Sequence, residues 1–108
     1  MSLRLQTQTA QQIELVGTLS ADDNAFAGHF PGLPIVPGVV QLQWVMENSV
    51  CWYPQQDFIR IDKLKFQQVI IPGDQLLLTL THRDAGKVGF SYQSDGLQLS
   101  SGVLVFQV

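Results

Sequence analysis

Cysteine is nearly absent from this chain of 108 residues: Cys51 stands alone, so no internal disulfide can form and nothing points to an oxidising compartment. Charge is scarce as well. Only 14% of residues are charged, with six Lys or Arg against nine Asp or Glu and a formal net charge of −3. That balance argues against non-specific nucleic-acid binding, which relies on basic surface. No apolar run approaches the ~20 residues of a membrane-spanning helix. Met1-Ser2-Leu3-Arg4 lacks the apolar stretch of a signal peptide, and the expected location is the cytoplasm. No Cys/His pattern suits zinc, and no Gly-rich phosphate loop precedes a helix, so neither a metal nor a nucleotide cofactor is expected. What the chain has in quantity is apolar: 45% of residues, enough for 1–108 to form one domain with its own core and no staples.

Most of that apolar content alternates. Residues 3–8 read as a short strand and Ile13 to Leu19 as another, followed by turn chemistry at 20–24. After a break at 53–57, strands are expected over Phe58 to Phe66, through Leu76, Leu78 and Leu80 to about Arg83, through Val88, Phe90 and Tyr92, and from Leu97 to Val108. Asp84-Ala85-Gly86 and Ser94-Asp95-Gly96 are hairpin signals. The count is five or six mostly antiparallel strands.

Residues 28–47 interrupt this pattern and organise the rest. Three prolines, three glycines and His29 fall within 28–38, a composition that excludes regular helix or central strand and dictates a stiff loop. Pro37 is then well placed at the start of a helix expected from about Val39 to Cys51. Wound at ~100° per residue, its apolar side chains cover nearly the whole circumference, so most of it should be buried. Gln41 and Asn48 share a narrow face, toward solvent or a polar contact. Gln43 and Glu47 form a second polar stripe inside an apolar arc: either a pair satisfied by backbone or water, or part of a site, since buried charge needs partners. One helix that is apolar nearly all round needs a curved sheet about it, which makes the fold class α+β.

The loop and helix resemble the β-hydroxyacyl-(acyl-carrier-protein) dehydratases of the hot-dog fold. The match is His29-Phe30-Pro31-Gly32, Pro34, then Pro37-Gly38-Val39; 61–66 and 71–76 resemble the same family's sheet at similar spacing. Pro37-Gly38-Val39-Val40-Gln41-Leu42 with Trp44 resembles a dehydratase-like subgroup linked to aryl polyene pathways. The resemblance implies a curved sheet around a central helix, assembly into at least a dimer by joining sheet edges, and active sites at the subunit interface. It also implies His29 as the base that takes the α-proton of a 3-hydroxyacyl thioester. The Gly38 amide, at the positive end of the helix dipole, would polarise the thioester carbonyl. Family members carry an acid fourteen residues after the His and commonly a Gln four further on. Here Gln43 and Glu47 stand in interchanged order.

Gln43 cannot protonate a leaving hydroxyl. Glu47, desolvated by apolar neighbours, would serve as the acid. The alternative is a hot-dog protein without dehydration, acting as an acyl thioesterase or a non-catalytic acyl-binding homologue. Phe30, Pro37, Val39 and Trp44 are expected to line the acyl slot, together with the Leu-rich strand. Arg60, Lys63 and Lys65 cluster within six positions and are expected to meet the phosphate of a phosphopantetheine arm, the acidic surface of an acyl carrier protein, or a coenzyme A thioester. His82 has no partner motif and reads as structural.

Overall fold

The alternating stretches become strands in the computed structural model, which describes residues 3–18, 35–71 and 73–108. They are β1 (Arg4–Gln8), β2 (Gln12–Thr18), β3 (Phe58–Phe66), β4 (Gln75–Arg83), β5 (Lys87–Ser94) and β6 (Leu97–Phe106). One helix is found among the described residues, α1 (Gly38–Ser49). The strands form one open sheet in the order β1-β2-β4-β5-β6-β3, with every neighbouring pair antiparallel. A helix held in a curved antiparallel sheet is the hot-dog architecture that the resemblance implies.

Local chemistry sets the hairpins. Ala85 and Gly86 (φ 59° and 77°) and Asp95 and Gly96 (φ 51° and 77°) are left-handed in consecutive pairs, the turn geometry that matches strand twist. Register then fixes the faces. Leu78 pairs with Leu15 and Tyr92, and Leu80 with Ile13 and Phe90, so all six point to one side. That side packs on Val45 of the helix. Val45, Leu78, Leu80, Val88, Tyr92 and Leu104 are all at 0% exposure. The Leu-rich strand is therefore filled core rather than one wall of an acyl slot.

The helix is less buried than its composition predicts. Gln41, Val45 and Ser49 form its buried stripe, one turn apart. Val40, Leu42, Trp44 and Met46 are half-buried, while Val39 and Val50 stand 67% and 55% exposed. The reason is geometric: one sheet covers one side of a cylinder. The helix also stops at Ser49, two residues short of Cys51.

Strand β3 lies at a sheet edge and is irregular. Its pairing with β6 slips between Phe58 and Arg60 and again between Asp62 and Lys65, where Lys63 takes φ 55°. The second slip is a bulge that lets Lys63 face the same way as Lys65. Phe58, Ile59, Leu64 and Phe66 on this strand are 42%, 46%, 39% and 50% exposed.

Candidate functional site

Proline at the helix entrance leaves donors free. Pro37 occupies the N-cap with extended φ and ψ of −61° and 149°, and no side chain caps the first turn. The Pro37 carbonyl accepts from Val40 N at 3.1 Å and Gln41 N at 3.2 Å. Neither the Gly38 nor the Val39 amide meets an acceptor among the described residues, and helix-dipole charge concentrates at these amides. Gly38 lies under the ring of Phe66: a Cβ at 38 would stand 2.6 Å from its Cζ. Between them opens a pocket of about 260 Å³, lined by Ile35, Val36, Pro37, Gly38, Gln41 and Phe66 with residues 67–69.

Behind this pocket the chain is tied to the core by polar groups. Val36 donates its N–H to the Ile70 carbonyl at 2.9 Å, and its own carbonyl accepts from Gln41 Nε2 at 3.2 Å. Ser100 Oγ donates to Gln41 Oε1 at 2.7 Å, and Tyr92 Oη donates to the Gln41 carbonyl at 2.5 Å. Gln41 and Ser100 are 3% and 0% exposed. Burial, and next the Glu47 charge, push the Tyr92 phenol far above its ordinary range, so it remains a donor. Of the two places left open for Gln41, solvent or a polar contact, the structure selects the polar contact. Sequence reasoning missed its role because Ser100 lies 59 positions away.

Gln43 and Glu47 meet as their spacing implies: Gln43 Nε2 donates to Glu47 Oε1 at 3.1 Å. Both are exposed on this chain, so the apolar arc around them is not closed by its own sheet. Of the residues expected to line the acyl slot, Pro37 is in the pocket, Trp44 packs half-buried on the core, and Val39 faces outward. His29 and Phe30 lie outside the described residues. His82 is built into packing, with Nε2 2.9 Å from Tyr53 Oη and its ring stacked at 5.4 Å on Trp52.

Arg60, Lys63 and Lys65 lie on the sheet face opposite the helix, and they are not alone there. Register places Arg83, Lys87, Val105 and Arg60 in one cross-strand row, and Arg4 beside Val16 and Leu77 on the same face. All six cations of the chain thus share one side of the sheet. Of the carboxylates, Glu14 and Asp62 occupy strand positions there, and each has a partner: Thr7 Oγ1 at 2.7 Å and Arg60 Nε at 2.8 Å. Lys63, Lys65 and Arg83 line an open groove of about 430 Å³ floored by hydroxyls of Thr79, Thr81 and Ser91. Gly89 makes room in it, because the Arg83 guanidinium lies 3.1–3.2 Å from where a Cβ would be.

Comparison with known proteins bears on this arrangement. The family profile of the ApeI-like dehydratases, described as ApeI dehydratase, matches residues 5–103. The 3-hydroxyacyl-(acyl-carrier-protein) dehydratase FabZ of Legionella pneumophila strain Lens is 34% identical over 105 residues, covering 82% of this chain and 70% of that protein. Among solved structures, the dehydratase heterocomplex ApeI:P from Xenorhabdus doucetiae superimposes with TM-score 0.87 at 27% identity over 100% of both chains. An uncharacterized protein from Erwinia carotovora subsp. atroseptica gives 0.79 at 34% identity over 99% of this chain and 97% of its own. No described helix is long and apolar enough to cross a membrane.

Proposed function

Since this chain belongs to the ApeI-like dehydratase family, we propose that it dehydrates 3-hydroxyacyl thioesters, carried on an acyl carrier protein, to trans-2-enoyl thioesters. The observation that carries this reading is the uncapped helix N-terminus opening on a largely apolar pocket beside Gly38 and Phe66. A thioester oxygen seated there would receive the Gly38 amide as negative charge develops, the arrangement by which oriented donors lower such barriers. His29 is the base in this reading, because imidazole exchanges protons near neutral pH. Glu47 is the acid that helps the β-hydroxyl leave as water, with Gln43 orienting it through the 3.1 Å contact.

The reading includes a second subunit. Exposed Phe58, Ile59, Leu64 and Phe66 on the edge strand, and Val39 and Val50 on the helix, are apolar surface that a subunit would cover. Covering the helix would also take the Gln43–Glu47 pair out of water. A second copy of this chain is one such subunit. The heterocomplex described for the Xenorhabdus doucetiae protein makes a different chain the other. Arg60, Lys63 and Lys65 would meet the carrier at the rim of the sheet.

The test is an enoyl-absorbance assay on purified protein, alone and with a co-expressed partner chain, without added metal or nucleotide. Interconversion of 3-hydroxyacyl and trans-2-enoyl thioesters, abolished by His29→Ala, is the expected outcome. Release of free thiol instead would identify a thioesterase. That second reading gains from Gln43 standing where the family keeps its acid. Neither activity would leave acyl binding.

A further inference from the structure

The N-terminal turn of α1 has an unusual support. A capping Ser or Asp would hold the turn by accepting from its second or third amide. Pro37 cannot do so, and the Gly38 and Val39 amides meet no acceptor among the described residues. The segment is instead held from inside. Val36 is fixed at both backbone groups, by Ile70 at 2.9 Å and by Gln41 Nε2 at 3.2 Å. Gln41 is in turn fixed at its Oε1 by Ser100 and at its own carbonyl by Tyr92. Ile70, Tyr92 and Ser100 are all at 0% exposure, so the anchors belong to the rigid core and not to the surface. A carboxamide suits this place without depending on protonation. It donates to the Val36 carbonyl and accepts from the Ser100 hydroxyl at once, and every buried polar side-chain atom among the described residues has a partner.

We propose that Gln41 is a positioning residue: by clamping the Val36 carbonyl to β6 it aims the Gly38 amide into the pocket without consuming that donor. The idea rests on the reading of Gly38 as the group that polarises the thioester. Gln41 touches no reacting atom in this scheme. Small rotations of the Val36–Pro37 unit would swing the Gly38 N–H, and donors of this kind act only when already oriented.

Two variants and two readouts test it. Gln41→Met keeps length and volume and loses both polar arms. It should lower kcat by ~10-fold or more while KM moves little, since alignment matters in the transition state. Hydrogen exchange of the Val36 amide, which the Ile70 carbonyl protects, should accelerate in Gln41→Met while that of Leu80 in the central strand stays as in the parent. Gln41→Glu keeps an acceptor for Ser100 and regains a donor to Val36 only when its buried carboxyl is protonated. Its kcat, relative to the parent, should recover as pH falls, a signature that side-chain volume alone does not produce. Parental kcat in Gln41→Met, or unchanged Val36 exchange, overturns the clamp. Should Gln41→Met fail to fold, the pH profile and Val36 exchange of Gln41→Glu decide in its place. Should the parent turn over no acyl thioester, the functional reading fails, and Val36 exchange alone then decides whether Gln41 holds the turn.

Discussion

Glu47 and Gln43 sit one helical turn apart with their heads in contact, and that contact governs what substitution does. Glu47→Gln should lower dehydration by ~10²-fold or more, the usual worth of a positioned acid–base group. Gln43→Glu alone should give no gain, because it replaces the donor to Glu47 Oε1 with a second carboxylate on the same stripe. The double exchange removes the repulsion and restores the family's order, and it should recover the parental rate. Initial rates from enoyl absorbance check all three, and a parental rate in Glu47→Gln removes Glu47 from the acid's role. Spacing alone brought these two residues together, because neighbours four apart on a helix always meet. Gln41 was harder to read. It looks like one more polar helix residue, and its burial depends on Ser100 and Tyr92, which only the sheet brings within reach.

Strands and hairpins were legible because their causes are local: alternation, and short polar or glycine turns. Their energetic inequality was not. Gly86 and Gly96 share φ 77° in comparable hairpins, yet a Cβ at 96 meets nothing within 4 Å, whereas one at 86 strikes the Phe106 carbonyl. Gly96→Ala should therefore cost only the backbone penalty of a left-handed residue, ~1 kcal/mol. Gly86→Ala should cost at least twice that, since the Phe106 amide also bonds to the Gly86 carbonyl at 2.7 Å and must shift with it. Urea unfolding of the two variants beside the parent measures the difference, and equal losses would contradict the close approach. Bulges belong with what the sequence hides. The extra residue at Lys63 shows only in the register of β3 against β6, where 62 and 65 face 103 and 101.

At the scale of the whole molecule, the exposed apolar strand edge and the half-covered helix predict assembly. Light scattering at micromolar concentration, with or without a co-expressed partner chain, should give at least twice the 12.0 kDa of a single chain. A monomer under both conditions would refute it. The family resemblance is what carries this expectation from the sequence. Charge placement was readable only in part: Arg60, Lys63 and Lys65 are neighbours in sequence, whereas Arg4, Arg83 and Lys87 join them only through strand pairing. That pairing makes the isoelectric point of about 5.0 a misleading average. From far away the chain is an anion. Within a Debye length of the sheet, ~8 Å in physiological salt, its bare face is that of a cation. A cationic face on an anionic chain is an uneven distribution of charge, and in the field of an approaching acidic body such a chain feels a torque before it feels a contact. Such a body should be met sheet-first, at the face that carries Lys63, Lys65 and Arg83. Salt should then disturb the angle of first encounter before it weakens any bond.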